Sequence, residues 1–322
     1  MKRILLVIAA AFISVSLGGC SGKQPAPAPD VVSIKVPALY PEGMDYDAKG
    51  KRFIVSSMHE GTVGQVTDDG TYKPFITDND LVSSVGLRVD AARNRLLVCN
   101  SDPGASTRTQ KDNQGKLAGL GIYDLSNGKL IKYFDLAALS KGGGHFCNDI
   151  AVDDAGNIYA TDSFSPIIYK IDTKDNPSIL LEDQRFTGEG FNLNGLVYKD
   201  GYLVVAKYNE GVLFKVPVDK PKDFKEVKID EKLVGADGLL WGPEGSLVVI
   251  ANLATNKIFK LTSLDNWDSA KVVNSVDTGD VFATTGALRD GKVYAMEAQL
   301  GVLFNPKTTK HVDVFNIKAF KL

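Results

Sequence analysis

The sequence predicts an all-β fold, a six-bladed β-propeller with four antiparallel strands in each blade. Three observations predict it: a β-rich pattern that recurs six times, a turn between the first two strands of each copy, and almost no helical periodicity. A unit of four short strands repeated every 40 to 50 residues or so is typical of propeller blades. The chain has 322 residues, a length at which two ordinary domains or one large all-β domain are expected. Six blades in one ring predict a single domain.

The first 30 residues precede the predicted fold. Lys2 and Arg3 are followed by an apolar run to Val15, which is typical of a signal peptide over residues 1–19. The segment that ends at Cys20 resembles the lipobox of bacterial lipoproteins, in which the cysteine carries the lipid; an ordinary secretory signal is the alternative. The Ala/Pro alternation within residues 20–30 predicts an extended tether. We therefore expect a lipid-anchored protein of the bacterial envelope, facing the periplasm or exterior, that contacts the membrane only through its anchor.

Residues 31–322 hold the six copies. Each copy opens with one residue that we call its ring position, since the first strand of a propeller blade lines the central tunnel. The ring positions are Glu42, Val85, Asn148, Asn194, Asp237 and Thr285. The second copy is about 20 residues longer than a period of roughly 43 predicts, and the excess falls in 101–119. This segment lacks periodic apolar residues and is expected to be an inserted loop, either a lid over the tunnel or a surface excursion.

The chain ends are expected to complete one blade between them, because an open sheet edge would remain otherwise. The run 32–36 is a natural outer strand beside a blade that contains 301–304, and the run 311–315 competes with it for that place. The sequence leaves this choice open.

Four of the ring positions carry oxygen donors. Glu42, Asn148, Asn194 and Asp237 would converge on one axis, and two carboxylates with two amide carbonyls suit a hard divalent cation such as Ca²⁺. The alternative is that the pairs 194–195 and 237–238 are only Asn-Gly and Asp-Gly turn pairs. Turn chemistry does not explain Glu42, and two unpaired carboxylates around a narrow axis would repel each other.

These residues carry a resemblance to a known family. The chain resembles the gluconolactonase and regucalcin (senescence marker protein) family of calcium-dependent six-bladed propellers, which is related to diisopropylfluorophosphatase and the paraoxonases. That family has a Glu-Gly pair in the first blade, Asn-Asp or Asn-Gly in the third, Asn-Gly in the fourth and Asp-Gly in the fifth. All four occur here in order, at Glu42, Asn148, Asn194 and Asp237. The resemblance implies these four as ligands of Ca²⁺ or another divalent cation.

The resemblance also implies hydrolysis of a lactone or related ester, with Asp237 assisting the attacking water. His145 is a second candidate catalytic residue, since it enters at the same face of the tunnel. The regucalcin branch places an Arg two residues before the third-blade Asn, where this chain has Phe146. Sugar-acid specificity is therefore in doubt, and a more apolar rim is expected.

A different class of function fits the same residues. A calcium-stiffened propeller lipoprotein would bind a small ligand or a protein partner without chemistry, because a fold does not settle a function. The formal net charge of −2 excludes a generally basic, nucleic-acid-binding protein. A monomer is expected.

Cys99 and Cys147 are the two remaining cysteines. In an exported protein they either form a disulfide or remain two separate buried thiols, and the sequence does not decide between these states. Neither lies in a spacing typical of a zinc site.

Overall fold

The structure, a computed structural model, describes residues 27–322. The proposed signal peptide, the lipidation site Cys20 and most of the tether lie outside the described residues. No helix among residues 27–322 is long and apolar enough to cross a membrane. The fold is all-β, and its strands form antiparallel meanders in a propeller arrangement.

Twenty-four strands follow one another along the described chain. The first nine are β1 (Val31–Ile34), β2 (Met44–Asp47), β3 (Arg52–Ser56), β4 (Val63–Val66), β5 (Tyr72–Ile76), β6 (Ser83–Asp90), β7 (Arg95–Ser101), β8 (Lys116–Asp124) and β9 (Leu130–Asp135). The next eight are β10 (His145–Val152), β11 (Ile158–Asp162), β12 (Ile167–Ile171), β13 (Pro177–Glu182), β14 (Leu193–Lys199), β15 (Tyr202–Lys207), β16 (Val212–Pro217) and β17 (Lys225–Glu226). The last seven are β18 (Ala236–Trp241), β19 (Leu247–Ala251), β20 (Lys257–Thr262), β21 (Lys271–Asp277), β22 (Ala283–Arg289), β23 (Lys292–Glu297) and β24 (Phe315–Phe320).

Within residues 27–322, helical structure is confined to short turns. One α-helical turn, α1 (Leu300–Leu303), follows β23. The 3-10 turns are Ala91–Arg93, Ala137–Leu139, Gln184–Phe186, Pro221–Asp223 and Pro243–Gly245. The segment 301–304, which was expected to form a strand, thus lies in and beside α1.

Four four-stranded sheets are separate from one another. Their strand orders are β2-β3-β4-β5, β14-β15-β16-β17, β18-β19-β20-β21 and β22-β23-β24-β1. The other eight strands form one sheet, so the prediction of six separate blades is corrected to four separate blades and one larger sheet. That sheet contains two antiparallel meanders, β6–β9 and β10–β13, joined by a short parallel pairing of β8 with β10.

The joining pairing has a local cause. The predicted insertion 101–119 contains a loop from 102 to 115, and its last residues begin the nine-residue strand β8. Lys116 and Leu117 extend this strand beyond the end of its own meander and pair with His145 and Phe146 at the start of β10. An element expected to be only loop therefore supplies the strand that fuses two meanders.

The N-terminal strand is the outermost strand of the last sheet. β1 pairs with β24, from Val31 opposite Lys318 to Ile34 opposite Phe315, and β24 pairs with β23. The competing run 311–315 lies almost wholly before β24. The sheet edge is thus completed by both ends of the described chain, as expected.

The hydrophobic core lies between neighbouring sheets. Strands such as β11, β15 and β19 are buried at every residue, because successive side chains point to opposite faces and a neighbouring sheet covers each face. Phe53 of β3, for example, is fully buried and packs against Tyr294 of β23, with 5.4 Å between ring centroids. Burial of this kind supplies most of the stabilisation of the fold.

Arg289 joins the last sheet to the first. Its guanidinium group makes a two-point contact with the carboxylate of Asp68, with Nη2 2.8 Å from Oδ2. It also lies 4.7 Å from the ring centroid of Tyr46 in β2. Because the Arg289 side chain is only 8% exposed, the pair is less screened by solvent than an ordinary surface pair.

Replacing Arg289 by Met is expected to lower the free energy of unfolding by about 1–2 kcal/mol, because it removes a bidentate ion pair and a cation–π contact. Urea denaturation measures the change. Lys132→Met, which removes an exposed pair with Asp175, is the matched control and is expected to cost less than about 0.5 kcal/mol. Equal losses in the two variants would contradict a special role of Arg289.

Candidate active site

Five of the six ring positions lie at β-bulges, and the sixth, Glu42, directly precedes Gly43 and β2. In the pairing of β10 with β11, Cys147 faces Asp162 and Ile150 faces Ala160, so that Asn148 and Asp149 together oppose a single residue. The same two-against-one step occurs at the ring positions of β6, β14, β18 and β22. A bulge re-aims a side chain relative to the regular alternation. The sequence pattern did not reveal these bulges.

The glycines after the ring positions are required by close packing of neighbouring inner strands. A Cβ atom at Gly195 would overlap the carbonyl oxygen of Asp237, and one at Gly43 would overlap that of Val85. Neither glycine has a positive φ. Gly195 lies within β14, and Gly43 directly precedes β2. The structure therefore contradicts the alternative that Asn194-Gly195 is a turn pair.

The four predicted ligand residues meet at one cavity. Glu42, Asn148, Asn194 and Asp237 all line it, and its volume is about 270 Å³. Each of the four is at most 7% exposed. Three of them come from the bulges of β10, β14 and β18, and Glu42 lies just before β2. The structure thus brings together residues that are up to 195 positions apart in the sequence.

Asp237 is fixed by a chain of hydrogen bonds that was not predicted from the sequence. The Nδ2 atom of Asn252 donates to Oδ2 of Asp237 at 2.5 Å and to the carbonyl oxygen of Ala283 at 3.1 Å. The hydroxyl of Tyr208 in turn donates to Oδ1 of Asn252 at 2.6 Å. Asn252 directly follows β19, so the only signal in the sequence was a polar residue at the end of an apolar strand.

Asn148 has one satisfied atom and one unsatisfied atom. Its Nδ2 donates to Oγ of Ser163 at 2.9 Å, and that hydroxyl donates to the carbonyl oxygen of Leu193. Its Oδ1 is buried without a hydrogen-bond partner among the described residues. A buried acceptor without a partner costs free energy, so such atoms need an explanation.

The carboxyl groups of the site are electrostatically unfavourable as anions. Burial raises the pKa of Glu42 well above its usual range, and the charges of Asp237 and Asp149 raise it further. Burial likewise raises the pKa of Asp237, while the hydrogen bond from Asn252 acts in the opposite direction. A bound cation would offset both the burial and the repulsion.

Asp149 is a third buried carboxyl group near the axis, in the place where other copies have glycine. Its Oδ1 accepts from the backbone N–H of Ile150, and its Oδ2 accepts from that of Leu196. Burial raises its pKa, and the nearby Arg88 lowers it. Asp149 therefore connects β10 and β14 through its two carboxylate oxygens.

The donor set fits a hard divalent cation. Two buried carboxyl groups and an unpartnered amide oxygen converge on one cavity, and oxygen atoms of this kind are the ligands that Ca²⁺ prefers. Within residues 27–322 no group of three or more His, Cys, Asp or Glu side chains is arranged to hold a metal. The four ring residues at this cavity form a set of another kind, since amide groups supply half of it.

Apolar side chains form the walls of the cavity above these polar groups. Met58 of the first meander and Phe146 of the third are part of these walls. The rest of the wall consists mainly of Leu253 and of four residues that were not predicted from the sequence, Phe191, Phe282, Leu300 and Phe304. These residues lie in connections between strands or in α1, where no periodicity marks a buried face.

His145 does not line the cavity. It precedes Phe146 in β10, and neighbouring residues of a strand point to opposite faces. Its Nδ1 lies 2.8 Å from Oδ2 of Asp162, and the hydroxyl of Tyr169 donates to the same carboxylate oxygen. This hydrogen bond with Asp162 raises the pKa of His145. The placement gives His145 a role in the core beside the cavity and does not support the expected catalytic role.

The loop within the insertion 101–119 packs over the first meander and does not cover the cavity. Arg108 donates to the backbone carbonyl oxygens of Asp78 and Leu81 at 2.8 Å. The N–H of Thr107 donates to the carbonyl oxygen of His59. No residue from 101 to 119 lines the cavity. The lid interpretation therefore has no support from these contacts.

Cys99 and Cys147 form a disulfide, with 5.3 Å between their Cα atoms. The bond connects β7 with β10 and so crosses from one meander of the fused sheet to the other. Cys147 directly precedes Asn148, and its carbonyl oxygen accepts a hydrogen bond from Ser101. The bond therefore fixes the backbone beside a candidate ligand.

A larger cavity, of about 560 Å³, opens at the other end of the inner strands. Asp45 and Arg88 are among the residues that line it. Asp45 accepts from the backbone N–H of Val89 at 2.9 Å, and Nε of Arg88 donates to the carbonyl oxygen of Ile150 at 3.1 Å. Because these charged groups hold the backbone, we place the candidate active site at the smaller cavity.

Several solved structures share this fold. The chain superposes on the major allergen Mala s 1 of Malassezia sympodialis with a TM-score of 0.73 and 18% identity, covering 90% of this chain and 96% of that one. A gluconolactonase from Xanthomonas campestris gives a TM-score of 0.61 at 14% identity, with 90% and 89% covered. Virginiamycin B lyase from Staphylococcus aureus gives 0.57 at 12%, with 90% and 99% covered.

These likenesses show a shared propeller fold at low sequence identity. No protein-family model matches the sequence. No curated protein matches it either. The reaction must therefore be argued from the site.

Proposed function

We propose that this chain is a calcium-dependent hydrolase that opens a lactone or cleaves a related ester. The observation that carries the proposal is the polar end of the 270 Å³ cavity, where Glu42, Asp237 and the unpartnered Oδ1 of Asn148 converge. Proteins with the same fold include a gluconolactonase, which supports the reaction class by analogy only. Another divalent cation of similar size would serve the same site.

We propose that the ring has six blades, two of which are fused into one sheet. The fused sheet holds two four-stranded meanders, and each supplies one ring position, Val85 in β6 and Asn148 in β10. Counting these meanders as two blades gives six inner strands around the axis. The parallel pairing between them involves only two residues of each strand.

Glu42, Asn148, Asn194 and Asp237 would hold the cation. When bound there, it would act as a Lewis acid on the carbonyl oxygen of the ester and balance the two carboxylates. Asn252 holds Oδ2 of Asp237 in place, so the carboxylate is oriented before substrate arrives. Asp237 would orient a water molecule and accept its proton as the water oxygen bonds to the carbonyl carbon, and would return that proton to the alkoxide oxygen when the C–O bond of the ester breaks.

The remaining residues shape the reaction volume. The apolar walls exclude bulk water, which strengthens the electrostatic interactions inside the cavity. A neighbouring cation lowers the pKa of a carboxyl group and makes Asp237 a weak base. The side chain therefore contributes more through the orientation of the water than through its basicity.

The proposed location is the bacterial envelope, with a lipid on Cys20 as the anchor. Its support is the order of an apolar leader, a cysteine and a Pro-rich tether in residues 1–30. Exported proteins form disulfides readily, and the Cys99–Cys147 bond agrees with such a compartment.

Calcium is expected to raise the melting temperature of the metal-free protein by about 5–10 °C at a calcium concentration 100 times the dissociation constant. Binding to the folded state alone contributes about 2.7 kcal/mol under that condition, and a protein of this size gains about 2–4 °C per kcal/mol. Differential scanning calorimetry with and without a chelator measures the shift.

Glu42→Gln is expected to abolish most of that shift while it leaves the metal-free protein as stable as before or more stable. The amide removes a buried carboxyl group whose ionisation burial disfavours. Glu231→Gln, at an exposed residue between strands, is the matched control and should keep the full shift. A shift that persists in Glu42→Gln would place the ion elsewhere.

Turnover of a panel of lactones and aryl esters, lost on chelation and restored by calcium, tests the enzymatic function. A calcium-dependent melting temperature without hydrolysis of any member would overturn it in favour of the non-catalytic binding protein.

A further inference from the structure

We propose that the molecule bound in this cavity carries an alkyl or aromatic group beside its reactive carbonyl, and that a polyhydroxylated ring such as a sugar lactone is a poor ligand. The inference rests on the proposed function for the reaction, and the side chains that select this substrate class are those of the cavity walls.

Polar groups occupy only one end of the cavity. Glu42, Asn148, Asn194 and Asp237 are the ring residues, and they face the axis. Among the described lining residues, Tyr208 is the one other polar side chain, and its hydroxyl proton is donated to Asn252. Hydroxyl groups on a ligand would therefore lack partners along the walls. Each such buried hydroxyl costs about 10-fold or more in affinity.

One wall is a packed aromatic cluster. The rings of Phe146, Phe164 and Phe191 lie 5.1–5.3 Å apart, centroid to centroid, in tilted and edge-on arrangements. Phe191 also contacts Tyr208 edge-on at 6.5 Å. Side chains held by several aromatic neighbours keep their positions, so the wall is apolar and already formed before a ligand binds.

Two further apolar residues of the lining have unusual backbone geometry. Leu253 and Phe282 both adopt left-handed conformations, with φ of 53° and 48°. Bulky side chains rarely adopt this region, and residues of this kind cluster at binding sites. Two apolar residues of the cavity lining thus occupy backbone conformations that are unfavourable for their side chains.

The apolar surface of the cavity continues to its opening at the protein surface. Leu253 is 43% exposed and Phe304 is 40% exposed, and both line the cavity as well as face solvent. Exposed apolar surface that is continuous with a pocket marks a binding surface more often than isolated exposed residues do. An alkyl chain attached to a lactone ring at the polar end would run along this surface.

A series of δ-lactones with the same ring tests the inference. The series is δ-valerolactone, its 5-alkyl derivatives from methyl to pentyl, and δ-gluconolactone, all assayed with calcium. We expect kcat/KM to rise about 3- to 4-fold per methylene until the chain passes the mouth, which corresponds to about 0.8 kcal/mol per buried methylene. We expect δ-gluconolactone to react at least about 10-fold more slowly than δ-valerolactone.

Leu253→Ser is expected to flatten the rise with chain length, because it places a hydroxyl at the mouth. It should lower kcat/KM for the pentyl lactone more than for δ-valerolactone. The matched control is Leu264→Ser, since Leu264 is fully exposed and does not line the cavity. This control should keep the wild-type slope. A Leu253→Ser slope equal to that of wild type would contradict the role of the mouth.

Binding of alkyl tetrahydropyrans, which have the ring but no carbonyl to hydrolyse, separates this inference from the proposed function. If no lactone is hydrolysed but calorimetry shows tetrahydropyran affinity rising about 3-fold per methylene, the proposed function fails and the inference stands. If affinity and kcat/KM are independent of chain length, or δ-gluconolactone is the best ligand, the inference is overturned.

Discussion

Replacing Asp237 by Asn is expected to lower kcat/KM for a lactone by about 10³-fold or more. A side chain that orients the attacking water and accepts its proton contributes about 10²- to 10⁴-fold, and this residue is in addition a proposed ligand of the cation. Stopped assays with a long-chain δ-lactone at saturating calcium measure the loss. The loss should appear in kcat as well as in kcat/KM, because the water is oriented only in the reacting complex.

The fold of Asp237→Asn is expected to remain intact. Oδ1 of the new amide still accepts the hydrogen bond from Asn252, and the substitution removes a buried carboxyl group whose pKa is raised by burial. Its metal-free melting temperature should equal or exceed that of the wild type. Asp280→Asn, at an exposed loop residue before β22, is the matched control and should retain full activity. Full activity in Asp237→Asn would refute the proposed mechanism.

Removing the disulfide by the double substitution Cys99→Ala and Cys147→Ala is expected to lower the free energy of unfolding by about 4 kcal/mol. The two cysteines are 48 residues apart, and a cross-link that closes a loop of this length restricts the unfolded chain by about that amount. Alanine is chosen because both sites are fully buried and a serine hydroxyl would lack a partner. Urea denaturation under oxidising conditions measures the loss.

Reduction of the wild-type protein supplies the control for the double substitution. Under a strong thiol reductant, the wild type should unfold at nearly the same urea concentration as the double variant, while the variant itself should not respond. A double variant that loses less than about 1 kcal/mol would show that the sheets alone hold β7 and β10 together.

The strand order was predictable because it follows from local signals. Each turn between two β-rich runs predicts a hairpin, and six hairpins at similar spacing predict a ring of meanders. The fusion of two meanders was not predictable, since it depends on two residues, Lys116 and Leu117, that extend β8 toward β10. The assignment of 301–304 to a strand was wrong because Gly301-Val302-Leu303-Phe304 has β-like composition, while its surroundings make it a helical turn.

The candidate site was predictable where side chains with oxygen donors recur at the same position of the repeat. Glu42, Asn148, Asn194 and Asp237 were found in this way, and the structure gathers all four at one cavity. The hydrogen bond from Asn252 to Asp237 was not predicted, because it depends on how side chains of two neighbouring strands are oriented. The wall residues Phe191, Phe282, Leu300 and Phe304 were missed because loops and single turns have no periodicity from which a buried face can be inferred.

The register of β10 explains why Phe146 reaches the cavity and His145 does not. His145 and Phe146 are adjacent, and a shift of one residue exchanges the faces to which they point. The sequence indicated that both enter the same region, but only the pairing with β11 and β8 decides which side chain reaches the cavity. Phe146 does so, and His145 joins Asp162 in the core.

The pairing of β1 with β24 sets the order in which a newly made chain reaches its final form. Ser33 donates a hydrogen bond to Asn316, a residue 283 positions later. During synthesis from the N-terminus, the first strand must therefore wait unpaired until nearly every other strand has been made. Contacts between such distant segments form late, because a long loop has to close first. The pairing of β1 with β24 is thus the last strand pairing to form. A nascent chain halted before residue 315 lacks β24, the strand that joins β1 to the rest of its sheet.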